Sequence, residues 1–385
     1  MNRLFFVIVL LHLSFTTAAN FTQVFEWPDG MDFEWPSEVE RTQALESGAS
    51  EPDKIIEPHF MAVYRTRIFV SLQKSRRIPE NGDCNKIEDA TGLEVDTVGR
   101  MWVLDDGSLH CNSKLWIFDL SNNDKTNLIH HFPSSYYLHD LVLDETLNGY
   151  FAYIAQWGEE DIVVFGLERN QSWTVETPGI KLFSIALSPK DEPRQLYLSN
   201  LESNELFSIS VTALHNGNLT ANPKLIVKWT AVPYRMLMDN HGTMYAAFWK
   251  KNYIISWNIN QPYQKRRIYE VEKLNTDWPF TFALDSSGTF WMTVFNKTGK
   301  KSSYRLLKAA VGEKPYYIRD CQTTADASQG KRQTDYSALI GSLAFFLVLS
   351  CTLNIWLTLR MRKSKNSNEK CNAGAVEKPT VQNPV

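Results

Sequence analysis

Three short runs of this 385-residue chain carry side chains of the types that do chemistry: Asp105-Asp106, His139-Asp140 and His130-His131. The first could share a proton as an acid/base pair, the second could join a base to its orienting carboxylate, and the third could ligate a metal. Each has a plainer reading. Neighbours on a strand point to opposite faces, and Asp105-Asp106-Gly107 is a natural turn. A base and its orienting group seldom adjoin in sequence, so His139-Asp140 is read as ordinary loop. No third ligand accompanies His130 and His131, and there is no Cys-x-x-Cys. The chain also lacks G-x-S-x-G, H-E-x-x-H and a glycine-rich phosphate loop. No catalytic residue, metal or cofactor is assigned.

The elements that would position such residues are bounded by composition. With 43% hydrophobic and 22% charged residues the chain is globular, and a net charge of -3 gives no reason to expect nucleic acid. The ends differ from the middle. Residues 1–19 carry Arg3, an apolar run from Leu4 to Leu13, and small residues Thr17 and Ala19, which reads as a cleaved signal peptide. Residues 337–359 hold 23 uncharged residues, about 34 Å as a helix, followed by Arg360, Arg362, Lys363 and Lys365. This predicts a single C-terminal transmembrane helix and, by the positive-inside rule, a cytoplasmic tail over 360–385. The expected product is a type I single-pass membrane protein: a folded domain over 20–325, outside the cell or in a secretory lumen, and a stem over 326–336. Four sequons, at Asn20, Asn170, Asn218 and Asn296, are glycosylation candidates on that side. Cys84 and Cys111, 27 residues apart, are expected to form a disulfide; Cys321 is left over, as a free thiol or for an intermolecular bridge.

An internal repeat gives the fold. Leu93-Glu94-Val95-Asp96 alternates, breaks at a turn through Gly99, and resumes at Arg100-Met101-Trp102. The pattern returns around Asp239 and Asp285, and more loosely around Asp144 and Ser188. From Asp96 the steps are 48, 44, 51 and 46 residues. A period near 47 with several short strands per unit predicts an all-β chain, a six-bladed β-propeller, with seven blades still possible. Met61–Tyr64 and Ile68–Val70 supply strands for the sixth blade. Ring closure requires a partner for the last blade, so Phe21–Trp27 is expected to pair near Tyr304–Ala309. Trp102, Trp116, Tyr153 and Trp291 recur at matching blade positions and are read as packing between blades.

At these residues the chain resembles the yellow and major royal jelly protein family. The words that carry the resemblance are Gly92–Asp96 with Gly99–Gly107, Lys114–Leu120, Phe183–Pro189, and Trp278-Pro279-Phe280-Thr281-Phe282, with Phe25-Glu26-Trp27 and Asp32–Pro36 at the start. It departs from the family at a short Ser71–Gly82 segment and at Leu147, Ser256 and Val98, where relatives often carry cysteine. The membrane span is a further departure, since members are commonly secreted. The resemblance implies a propeller channel that binds small aromatic amines or catechol-type pigment precursors, with Thr281 and Asn296 as ligand-binding residues. It also implies two alternatives: a melanin-pathway enzyme converting dopachrome-like compounds, or an interaction and adhesion propeller whose protein partner is unknown.

Overall fold

The computed structural model describes residues 19–28, 37–39, 42, 56–74, 83–133, 137–190, 193–215, 219–298 and 301–318. The expected signal peptide (its residues 1–18), stem, membrane span and tail, with Asn218 and Cys321, lie outside them. Among the described residues no helix is long and apolar enough to cross a membrane.

The chain opens with β1 (Thr22–Trp27) and the hairpin β2 (Ile56–Tyr64) and β3 (Arg67–Lys74). The next sheet is β4 (Ala90–Val95), β5 (Arg100–Asp105), β6 (Lys114–Asp119) and β7 (Lys125–His131). It is followed by β8 (Leu138–Thr146), β9 (Gly149–Gln156), β10 (Asp161–Gly166) and β11 (Gln171–Glu176). The third is β12 (Leu182–Leu187), β13 (Gln195–Asn200), β14 (Glu205–Ser210) and β15 (Lys224–Lys228), with the one-turn helix α1 (Thr212–His215) between the last two. The fourth is β16 (Pro233–Met238), β17 (Thr243–Phe248), β18 (Tyr253–Asn258) and β19 (Arg266–Glu270). The last is β20 (Phe280–Leu284), β21 (Thr289–Thr298) and β22 (Lys301–Ala310). These sheets are antiparallel meanders, and their first strands, with β2, follow one another around an axis.

The fold is therefore an all-β propeller, but with five four-stranded blades among the described residues instead of the six expected. The sixth place in the ring, between β20 and β4, holds only the hairpin β2–β3. The repeat period overcounted for a physical reason: residues 56–74, expected to supply a sixth blade, make only a two-stranded hairpin among the described residues, while the N-terminal arm belongs, as expected, to the last blade. That arm closes the ring. β1 pairs with β22 from Thr22↔Lys308 to Trp27↔Tyr304, which completes the last blade with a strand from the other end of the chain, as expected.

The repeat's aspartates explain why the blades look alike. Asp96 Oδ1 accepts the Val98 and Arg100 amides (3.1 and 2.8 Å), and its Oδ2 accepts Trp102 Nε1 at 3.0 Å. Asp285 does the same with the Ser287 and Thr289 amides and Trp291 Nε1, and Asp239 with the His241 and Thr243 amides and the Tyr245 hydroxyl. One carboxylate thus closes the β-turn and fixes the aromatic ring of the next strand. The looser copies are coupled variants. Asp144 accepts the Tyr153 hydroxyl at 2.8 Å and pairs with Arg194, which reaches across from the sheet where Ser188 replaces the aspartate. Trp102 and Tyr153 are fully buried and Trp116 nearly so, as the packing reading requires, while Trp291 is only partly buried.

Asp105 is the last residue of β5, and Asp106 follows it in the connection that runs through Gly107 to β6. Asp105 is buried and accepts the amides of Glu88, Asp89 and Gly107 together with Trp116 Nε1. Gly107 takes a φ of 77°, and a Cβ there would lie 2.2 Å from the Cys111 carbonyl oxygen. Cys84 and Cys111 form the expected disulfide, tying this loop to the segment before β4.

Candidate ligand site in the axial channel

The first strand of each blade has one paired edge and one edge facing the axis. Five of the six strands around the axis also break register with their neighbour near their starts: Pro58/Met61, Ala90/Leu93, Leu138/Asp140, Leu182/Ile185 and Pro233/Arg235. A bulge re-aims side chains that strict alternation would send to opposite faces. Here the bulges gather His59, His139, Asp140, Phe183, Ser184, Tyr234 and Arg235 at one end of the channel. His139-Asp140 is consequently not a loop, as the sequence suggested, but part of β8 in the channel wall.

The upper layer of this end is aromatic. Trp278, on the segment entering β20, lies 5.6 Å from the His59 ring in a stacked arrangement and 5.3 Å from each of Trp157, Phe183 and Tyr234. His139 stacks on Phe183 at 5.4 Å and meets Trp157 edge-on at 4.9 Å. Burial, helped by His59 and Arg235, pushes the His139 imidazole well below its ordinary pKa, so it is neutral. Its Nε2 is buried without a hydrogen-bond partner among the described residues, and so is Thr281 Oγ1. Both belong to the set of buried side-chain polar atoms left without a partner among the described residues.

Beneath this layer the channel is crossed by charge. Arg235 extends from β16 to Asp140 on β8, with Nη1 2.9 Å from Oδ1, and its guanidinium lies 4.6 Å from the Phe60 ring centre. Asp140 Oδ2 accepts the Ser184 hydroxyl at 2.7 Å and the Ile185 amide at 3.1 Å. Burial raises the Asp140 pKa, and Arg235 opposes that rise. Ser184 Oγ in turn accepts the Met236 amide, so one cluster ties β8, β12 and β16 together across the axis. Deeper still, Glu94 on β4 has its carboxyl pushed up to about 7, chiefly by burial.

The opposite end is floored by the segment after β22. Pro315 bridges to Asp239, and the Tyr316 hydroxyl accepts the Leu143 amide (2.8 Å) and donates to the Leu143 carbonyl (3.0 Å). Tyr234 satisfies both backbone groups of Phe280 in the same way, at 2.7 and 2.9 Å. These are axis-facing groups of first strands, which no sheet neighbour can pair.

The residues expected to bind ligand are placed apart. Thr281 lies in β20 opposite Thr293, and Asn296 is three residues further along β21. Alternation along β21 puts Asn296 on the side of Val294, not of Thr293. Its Oδ1 accepts the Asn275 amide at 2.9 Å, on the connection that carries Trp278. Asn170 is exposed at the β10–β11 turn, where its Oδ1 is 2.9 Å from His130 Nδ1; Ser172 of the same sequon holds His130 Nε2. His130 is thus engaged by a hairpin turn and is not placed as a metal ligand.

The sequence profile of the major royal jelly proteins matches residues 89–182 and 179–302, more than half of the chain. The chain belongs to the major royal jelly protein family. Curated relatives agree: Protein yellow of Drosophila subobscura is 22% identical over 68% of this chain and 59% of its own length. Protein yellow of Drosophila melanogaster is 22% identical over 68% of this chain and 62% of its own. This family member therefore spans about three fifths of the length of those relatives. Among solved structures it is similar to a streptogramin B lyase at 12% identity and a TM-score of 0.42, covering 68% of this chain and 83% of that one.

The family's sequence words now have structural places. Gly92–Asp96 contributes Glu94, Phe183–Pro189 contributes Ser184, and Trp278–Phe282 contributes Trp278 and Thr281. Arg235 escaped notice, although a signal was present: a single arginine in Pro233–Met238, whose six residues are all buried, requires a buried anion.

Proposed function

We propose that this family member binds a small aromatic amine or a related pigment precursor in the axial channel. The observation that carries this reading is the stack of rings around Trp278 with His139 in it, whose buried Nε2 has no partner among the described residues. Flat ligands are held by such walls, and a few placed polar groups set their orientation. The propeller in this reading spans 20–325 and faces the cell exterior or a secretory lumen, anchored by residues 337–359.

Calorimetric titration of the purified protein with serotonin, dopamine and octopamine is expected to show saturable binding of at least one. A dopachrome decay assay run beside it separates the alternatives: accelerated decay supports the melanin-pathway enzyme, and neither binding nor decay leaves the interaction propeller.

The roles carried over to Thr281 and Asn296 have their own test. A glycan on Asn296 is incompatible with a place in the pocket, so mass spectrometry should find that residue bare. Thr281→Val should then weaken amine binding by about 1–3 kcal/mol through a lost or orphaned hydrogen bond. Substantial glycan occupancy at Asn296, or unchanged affinity in Thr281→Val, removes these assignments.

A further inference from the structure

At the margin of the core shared by the sheets β8–β11 and β12–β15 lie two cavities, of about 600 and 890 Å³, with Asn148 and His215 in the walls of both. His215, the last residue of α1, ends a hydrogen-bonded relay. Asp144 is paired with Arg194 and accepts the Tyr153 hydroxyl at 2.8 Å, and the oxygen of that hydroxyl lies 2.5 Å from His215 Nε2. Burial pushes the Tyr153 phenol well above its ordinary pKa, so it keeps its one proton, and that proton is already given to Asp144. His215 Nε2 must therefore carry a hydrogen and donate it to Tyr153, which fixes the tautomer and leaves Nδ1 as a lone-pair acceptor. Burial and then Arg194 lower the His215 pKa, so the ring is neutral. No hydrogen bond to Nδ1 is found among the described residues. The Phe151 ring lies 4.3 Å from the imidazole, and the half-buried Trp173 beside it spends its Nε1 on the Leu214 carbonyl at 3.0 Å. Exposed Arg169 and Gln171 stand at the rim with Asn148. The charges of the two cavities cancel: Asp144, Glu145 and Glu168 stand against Lys190, Arg194 and Arg169.

From these contacts we propose that this cleft is a second ligand site, separate from the axial channel, and that it takes an uncharged sugar, with the C–H face of a pyranose against Trp173 and a sugar hydroxyl donating to His215 Nδ1. Both cavities fall within the range of about 300–1,000 Å³ typical of small-molecule sites. A pyranose has an apolar face and a polar edge. The face packs on a half-buried aromatic ring, and vicinal hydroxyls pair with planar amide and guanidinium groups such as those of Asn148, Gln171 and Arg169. The relay decides what His215 recognises: a hydroxyl donates to its lone pair, whereas a carboxylate would be turned away by it. Either sign of charge would also unsettle a balance in which Asp144 holds Arg194 and Glu145 holds Lys190. This inference stands on different residues from the channel-binding reading and does not rest on it.

The test is calorimetric titration of the purified full-length protein with three neutral sugars, N-acetylglucosamine, mannose and galactose, and with glucuronate and glucosamine as charged counterparts. At least one neutral sugar should bind saturably, and both charged sugars should bind at least about tenfold more weakly. His215→Ala should weaken the neutral sugar about tenfold through the lost acceptor. The double variant Asn148→Ala/Gln171→Ala should weaken it by a similar factor; both side chains are exposed, so it keeps the test decisive if His215→Ala fails to fold. Thermal unfolding of each variant is the folding control. No saturable binding of any neutral sugar, or binding that survives both variants, overturns the site. Affinity for glucuronate equal to that for the neutral sugars overturns the proposed selectivity. Each of these results is independent of whether an amine binds in the channel.

Discussion

Arg235→Met is expected to lower the free energy of unfolding by about 3–5 kcal/mol, the cost of leaving a buried carboxylate without its partner. Asp140 is fully buried and Arg235 is 6% exposed, so water cannot take the place of the guanidinium. The two hydrogen bonds that Asp140 receives from Ser184 and Ile185 remain but do not neutralise it. The effect should depend on pH with a definite sign. Burial already raises the Asp140 pKa, and removing Arg235 raises it further. A carboxyl raised in the folded state stabilises below its unfolded pKa and loses that contribution as pH climbs through the folded value. The variant should therefore lie closer to wild type at pH 4 than at pH 8 in urea unfolding, and adding Asp140→Asn should recover part of the loss at pH 8. A deficit below about 1 kcal/mol at every pH would show that the bridge is not the brace described here.

Tyr316→Ala is the second large effect, about 3–5 kcal/mol, because it removes a buried ring from the channel floor and strands two backbone groups. The ring is 2% exposed and packs with the interior of the third and fourth sheets. Its hydroxyl meets both polar groups of Leu143. Tyr316→Phe isolates the second part and should cost about 1–3 kcal/mol, as Tyr234→Phe should at the other end of the channel. Denaturant midpoints for the three variants check this. Equal stabilities for Tyr316→Phe and wild type would mean that water pairs the Leu143 groups as well as the hydroxyl does.

The blades were legible in the sequence because each repeat carries its own local physics. An aspartate, a turn glycine and an aromatic six residues after the aspartate form a self-contained hydrogen-bonded unit, so Asp96, Asp239 and Asp285 announce their hairpins without help from distant residues. Ring closure by β1 was legible for a related reason, since an unpaired last blade demands a strand. The count of blades was not. Dividing a length by a period counts a full blade at residues 56–74, whereas they make a lone hairpin.

The channel was harder to read. Its residues come from every blade, and they face the axis only because bulges shift the alternation that sequence reasoning relies on. His139 and Asp140 looked like chance neighbours, and their separate roles, one in the aromatic layer and one in the ion pair, depend on the register break at Leu138/Asp140. Glu94 sits inside the family word Gly92–Asp96, where alternation alone describes it as a polar position on a half-exposed strand. Only the ring of surrounding strands makes it a channel residue.

The most direct test of the account is a crystal structure of the protein soaked with dopamine. The account predicts ligand density on the axis, with the catechol ring against Trp278. An undisturbed Trp278 stack with dopamine bound elsewhere, or no bound dopamine at saturating concentration, would contradict it.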